Sequence, residues 1–189
     1  MDYLKNKIKA DGKLIGNSVL KVDSFLNHQL EPLFIQEIGR EIARRYKEDG
    51  ITKILTIEAS GIAVALIVGL ELGVPVIFAK KKKPLTMDEG YYSADVYSFT
   101  KEEHTNIAVS KAYLGSTDKV LIVDDFLAMG AASKALVQIV SQANGTLAGI
   151  GIVVEKAFQG GGDELRTNGI RVESLAKIQA FQNGEIIFD

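Results

Sequence analysis

The chain contains no cysteine and no tryptophan, and only 3 prolines and 2 histidines among 189 residues. Without cysteine there is no disulfide, no thiol nucleophile, no iron–sulfur ligation and no thiolate zinc site. The two histidines, His28 and His104, are too few and too far apart to argue for a metal centre, and each reads as a surface or hydrogen-bonded side chain. An excess of positive charge is missing as well. Lys and Arg number 22 against 24 Asp and Glu, a formal net charge of -2, so there is no electrostatic reason to bind nucleic acid. Any phosphate must be held locally.

Residues 1–13 mix charges with single apolar residues and hold no continuous apolar stretch, so no secretory signal is expected and the reading is cytoplasmic. Residues 61–79, GIAVALIVGLELGVPVIFA, followed by four lysines, superficially suggest a membrane span with a basic flank. Glu71, Gly73 and Pro75 divide that run into an apolar helix and a β-branched strand, so no membrane association is expected.

What the sequence does have is a core: 47% of residues are hydrophobic and 24% charged. At this length a folded chain buries roughly 70% of the surface it exposes unfolded, which suffices without disulfides or a structural metal. A single domain over residues 1–189 is expected. Apolar positions 34, 35, 38, 42 and 46 predict a helix over about 32–48, followed by a strand at 53–57, a helix at 61–72 and a strand at 74–79. A strand at 119–123, a helix at 130–142 and a strand at 147–154 complete the pattern. Continuous apolar strands alternating with helices predict an α/β doubly wound domain whose parallel sheet is covered on both faces.

Two regions depart from that rhythm. Residues 80–101 are polar, charged and rich in Tyr and Ser; 22 residues is long for a connection, so a functional lid is expected, with short strands within it. The first 30 residues and the tail after Arg171 have weaker patterns, apart from a closing strand in GEIIFD, and are expected to build a small cap beside the sheet.

The segment richest in chemistry is 120–132, VLIVDDFLAMGAA, where a buried strand ends in two carboxylates, turns through small residues and enters a helix. Ligands of open α/β sheets bind outside the carboxyl ends of strands, and the helix start supplies unpaired N–H groups and the positive end of a dipole. Ala128, Gly130, Ala131 and Ala132 let a phosphate approach the backbone, while Asp124 and Asp125 offer acceptors for sugar hydroxyls or a divalent cation. A sugar phosphate meets both requirements. The plainer alternative is that Asp125 caps the helix and Asp124 is solvated. A phosphoacceptor receiver domain also clusters acids at strand ends, but it is shorter and needs no small-residue turn. The dinucleotide fingerprint is absent, because Gly149-Ile150-Gly151 lies inside a strand with no helix opening behind it.

VLIVDDFLAMGAA resembles the phosphoribosyl pyrophosphate (PRPP) binding motif of the type I phosphoribosyltransferases: four apolar residues, two acids, two apolar residues and a small turn. LKVDSFLNHQLEP (20–32), ITKILTIEASGIAVA (51–65), VYSFTK (96–101) and AGIGIVVEKAFQGGGDEL (148–165) are similar to the bacterial xanthine-type branch of that family, and with the motif they span most of the chain. The resemblance implies a five-stranded parallel sheet flanked by helices, a small cap or hood, a flexible active-site loop and a homodimer. It implies transfer of the ribosyl 5-phosphate of PRPP to xanthine, with Mg2+ accompanying PRPP and pyrophosphate released.

By the same resemblance Asp124 and Asp125 hold the ribose hydroxyls, and Ala128, Met129, Gly130, Ala131 and Ala132 surround the 5-phosphate. Many relatives carry Thr-Gly-Gly-Thr there; this chain lacks two hydroxyl donors, so backbone N–H groups must do most of the binding. Glu58, Ala59, Ser60 and Gly61 resemble the pyrophosphate loop, although Ser60 also reads as an ordinary helix cap. Lys80 and Lys81 are placed beside that loop, the alternative being a solvated basic turn over 80–83. Closure of residues 84–100 over the site would keep water from an oxocarbenium-like ribosyl cation. The acid found near the end of the related Tyr-Ser-Leu-Glu stretch is replaced around Thr100, so no general base is assigned.

Leu20, Asn27 and Lys156 carry over as the purine-binding residues. Lys156 has a chemical rationale, because an ammonium donor favours the oxo groups of xanthine over an amino purine. The alternatives are an ion pair of Lys156 with Glu155 or Asp163, Asn27 as a helix terminator and Leu20 as core. Two rivals to the overall reading are a PRPP-sensing regulator and a guanine or hypoxanthine specificity. The first would need a DNA-binding domain, and about 30 residues ahead of the first clear helix leave no room for a helix-turn-helix.

Overall fold

The computed structural model describes residues 1–16, 19–81, 90–98 and 103–189. In chain order the elements are α1 (Asp2–Asp11), β1 (Lys13–Ile15), β2 (Val19–Lys21), α2 (Pro32–Arg45), β3 (Lys53–Ile57), α3 (Gly61–Leu72) and β4 (Val76–Ala79). They continue with β5 (Tyr91–Ser98), β6 (Glu103–Ser110), β7 (Lys119–Leu127), α4 (Ala131–Gln142), β8 (Thr146–Lys156), α5 (Gly161–Thr167), β9 (Val172–Gln182) and β10 (Glu185–Phe188). The main sheet runs β10-β9-β8-β7-β3-β4. Its last five strands in that order are mutually parallel, as expected, and β10 adds an antiparallel edge strand through the β9–β10 hairpin.

Period-two alternation divides the core between the two faces of this sheet. Ile54, Leu121 and Val123 join a cluster with α2, α3 and the amino-terminal segment, while Leu55, Ile57, Val120 and Ile122 join another with α4 and the β5–β6 hairpin. Both faces are therefore covered, which is why these strands read as unbroken apolar runs. The longest described helices have 14 residues or fewer, and no helix among the described residues is long and apolar enough to cross a membrane. The apolar run at 61–79 resolves into α3, which stops at Gly73, and β4.

Around the amino terminus the sequence pattern was weak, yet α1 forms there, burying Leu4 and Ile8. The β1–β2 hairpin and a π-helical turn, Asp23–Asn27, follow and bury Leu20, Phe25 and Leu26 in the same cluster. Phe25 meets Phe34 of α2 edge-on at 5.2 Å, and the Met1 ammonium donates to the Leu175 carbonyl at 2.8 Å. Phe181, Ile186 and Phe188 of the carboxyl-terminal hairpin pack against this cluster, so both chain ends join one core.

Within the long connection after β4, strand β5 pairs with β6 along its whole length. Ala94, Ile107 and Val109 are buried, and a two-residue bridge between Lys80 and Ala108 ties the hairpin to the end of β4. Lys82, Lys83, Pro84 and Thr100, which figured in the basic turn, the lid and the missing acid, lie outside the described residues. One boundary needs correction: β7 does not stop at Val123 but runs to Leu127, so Asp124 and Asp125 sit within the paired strand rather than beyond it.

Candidate active site

Strict alternation in β7 breaks at the two acids. Leu121 and Val123 belong to the α2–α3 cluster; continued alternation would send Leu127 there, but Leu127 joins the α4 cluster and Phe126 takes the other side. Both consecutive carboxylates line one cavity of about 530 Å³, within the size range of small-molecule sites. Both acids are nearly buried. The Asp125 N–H donates to Asp124 Oδ1 at 3.0 Å. Burial, then the adjacent Asp125 carboxylate, push the Asp124 carboxyl well above the usual carboxylate range, and Lys81 pulls only weakly in the opposite direction.

Next along the chain, Ala128, Met129, Gly130, Ala131 and Ala132 all line the cavity. Gly130 sits at the cap of α4 with φ 80°, a left-handed conformation that costs a side-chain-bearing residue about 1–2 kcal/mol. No side chain caps this helix start. The first-turn N–H groups of α4 are thus unclaimed by a cap at the cavity wall, where an anion would meet them and the helix dipole together.

Opposite stands the β3–α3 turn. Glu58 and Ser60 line the cavity, as does Lys81. The Lys81 backbone N–H donates to Glu58 Oε2 at 3.0 Å, and the Glu58 N–H donates to the Ala79 carbonyl at 3.1 Å, so this turn is fastened to the end of β4. Ala59 is exposed and Gly61 is buried behind the wall, where a Cβ would lie 2.6 Å from Asp124 Oδ1. Lys80 takes no part in the wall; its ammonium lies 5.9 Å from the Phe78 ring centre.

The residues expected to hold the purine are more dispersed. Leu20, Asn27 and Lys156 do not line this cavity. Leu20 is buried in the amino-terminal cluster and Asn27 is exposed at the end of the π-helical turn. Lys156 ends β8 half-buried, and its ammonium lies 5.8 Å from the ring centre of Phe126, which does line the cavity. Burial pulls the Lys156 pKa down. Both acids weighed as ion-pair partners of Lys156 are engaged by Arg166, which donates to Glu155 at 2.8 and 2.6 Å and to Asp163 at 3.2 Å. Burial pushes Glu155 up, but the bonds from Arg166 and Ser174 outweigh it and hold the carboxyl below its ordinary range.

Two supports of the site were legible only in part. Val96 and Tyr97, from the segment expected to close over the site, join Thr105 and Ile107 in bringing the β5–β6 hairpin to the cavity. Gly161 braces the 128–130 turn from behind: its N–H donates to the Ala128 carbonyl at 3.2 Å, and a Cβ would fall 2.3 Å from that oxygen and 2.6 Å from the Gly130 nitrogen. The run of glycines at 160–162 was the available signal, but nothing in it pointed at residues 128–130.

No family model matches the chain. Curated xanthine phosphoribosyltransferases from Bacillus cereus and Stutzerimonas stutzeri are each 55% identical to it over 188 residues, spanning 100% of this chain and 95% and 99% of theirs. The chain belongs to the xanthine phosphoribosyltransferase family. Solved structures extend the likeness to the fold. Adenine phosphoribosyltransferase from Rhodothermus marinus superposes with a TM-score of 0.77 at 18% identity, covering 94% of this chain and 100% of its own. The Trypanosoma brucei adenine enzyme, in complex with AMP, pyrophosphate and ribose-5-phosphate, gives 0.77 at 20% identity, covering 92% and 79%. At those identities the likeness concerns architecture, a type I phosphoribosyltransferase fold.

Proposed function

We propose that this chain transfers the 5-phosphoribosyl group of PRPP to xanthine, forming xanthosine 5-phosphate (XMP) and pyrophosphate, in the cavity between the β7–α4 and β3–α3 turns. The reading is carried by full-length membership of the family coinciding with Asp124, Asp125 and the 128–132 loop on one wall. The 5-phosphate sits on the backbone N–H groups at the start of α4. Asp124 and Asp125 accept from the ribose hydroxyls. The diphosphate lies against the 58–61 turn, whose Glu58 and Ser60 line the cavity, with the Lys81 cation lining the same cavity. In the reaction the C1–oxygen bond to pyrophosphate breaks and a C1–nitrogen bond to the purine forms. Positioning and charge stabilisation are what these residues supply, since both reactants must be held in line while charge separates.

Mg2+ accompanies PRPP in this reading. Among the described residues no group of three His, Asp or Glu side chains is gathered, and the donor set suits an ion held chiefly by substrate oxygens. So bound, it would offset charge on the departing diphosphate.

Leu20, Asn27 and Lys156 bind xanthine, Lys156 donating to an oxo group where adenine would oppose donor to donor. The partners are small molecules and a second copy of the chain; Leu66 and Leu70, 60% and 69% exposed one helical turn apart on α3, offer an apolar surface for that copy. The location is cytoplasmic. Incubation with PRPP, Mg2+ and xanthine tests the reaction. XMP and pyrophosphate in equal amounts are expected, and xanthine left unconsumed while PRPP is hydrolysed would contradict it.

A further inference from the structure

Of all buried side-chain nitrogen and oxygen atoms among the described residues, Thr56 Oγ1 stands out as having no hydrogen-bond partner. Thr56 is fully buried in β3, on the strand leading into the β3–α3 turn. A buried hydroxyl without a partner destabilises a fold, and native proteins leave few such groups. Valine has the same shape and would be free of that cost, so a threonine kept here calls for a state in which its hydroxyl is used.

Its surroundings identify that state. The point that a Cβ on Gly61 would occupy is 2.5 Å from Thr56 Oγ1 and 2.6 Å from Asp124 Oδ1. The two oxygens thus face one small space kept open by a glycine, with no hydrogen bond between them. Asp124 itself has the Asp125 N–H on Oδ1, while burial and the neighbouring carboxylate disfavour its charge. A carboxylate that must hold ribose hydroxyls in this setting gains from each further donor, because hydrogen bonds to the charged form favour it. A hydroxyl can turn about its own C–O bond, so rotation of the Asp124 carboxylate toward the shared space lets it donate.

We propose that Thr56 is a positioning residue: in the PRPP-bound state its hydroxyl donates to Asp124, fixing the carboxylate that orients the ribose. This rests on the proposed role of Asp124 toward PRPP and does not depend on which base is the acceptor. The free state stores a polar group that substrate binding satisfies, so part of the cost of ordering Asp124 is met in the folded chain.

The test compares wild type with Thr56→Val and Thr56→Ser in three readings: thermal midpoint without ligand, the rise in midpoint with PRPP and Mg2+, and the pH profile of XMP formation. Thr56→Val is expected to melt at or above the wild-type midpoint. Its PRPP-induced rise should shrink, its kcat/KM for PRPP should fall about tenfold, the loss expected for one charge-assisted hydrogen bond, and its acid limb should move to higher pH. Thr56→Ser, which restores the hydroxyl, should recover most of the loss. A Val variant with the wild-type PRPP response and pH profile would overturn the proposal, as would a Ser variant as impaired as Val. Should wild type bind PRPP without making XMP, a smaller PRPP-induced rise in Thr56→Val would still support this inference while the xanthine reading failed.

Discussion

The proposed phosphate end and the proposed purine end of the site are built in opposite ways. Residues 124–132, among them Asp124, Asp125 and the 128–132 turn, follow one another through one strand, turn and helix, and all of them line the cavity. Leu20, Asn27 and Lys156 come from a two-stranded hairpin, a π-helical turn and the end of β8. A local motif fixes its own geometry through backbone hydrogen bonds. A dispersed constellation depends on packing between distant segments, here the shared core of both chain ends with α2. The first is expected to govern the reaction and the second to govern which base enters.

Chelation should break the phosphate end most completely. Turnover is expected to vanish in excess chelator and return with Mg2+, and undiminished rate would remove the metal from the account. Next in size, Asp125→Asn should cost on the order of 100-fold in kcat/KM, as loss of one preorganised polar group in a water-poor site commonly does, with the fold intact by circular dichroism.

Asp124→Asn should lose activity comparably while gaining stability. The folded-state pKa of Asp124 is raised, so its contribution favours folding below the unfolded carboxylate pKa and is lost as pH rises through the folded value. Asparagine removes that loss, and the variant's midpoint should exceed wild type most clearly near neutral pH. An unchanged gap between acidic and neutral pH would contradict the assignment.

Gly161→Ala sharpens the comparison by disturbing the proposed phosphate loop from outside it. The new methyl would press on backbone at 2.3 Å, with no flexible side chain to give way. KM for PRPP should rise about tenfold or more, since small misplacements of binding groups are costly, and KM for xanthine should change less. The smallest and most selective effect belongs to Lys156→Ala, about a tenfold rise in the KM for xanthine with the PRPP response retained. Equal effects of Lys156→Ala on both substrates would erase the distinction between the two ends.

The same contrast decides what could be read in advance. Helix and strand periods, the divided apolar run at 61–79 and the acid-acid-small-turn segment are local patterns, and each maps onto α3, β4, β7 and α4 within a few residues. What escaped was set by tertiary contact. Helix α1 carries only two buried side chains, so its apolar face is too sparse to register. Strand β9 was hidden in a tail whose polar residues alternate irregularly, and Gly161 gains its meaning only from Ala128 and Gly130 across space. The two acids were legible as chemistry, but their place inside the paired strand rather than beyond its end was not.

The most direct measurement is nucleotide formation from PRPP and Mg2+ with xanthine, guanine, hypoxanthine, adenine and orotate offered in parallel and products separated by chromatography. A kcat/KM highest for xanthine, lower for guanine and hypoxanthine and negligible for adenine and orotate is the predicted result. Equal or greater efficiency with adenine would contradict the account, because a lysine donor at the purine end could not then be what selects the base.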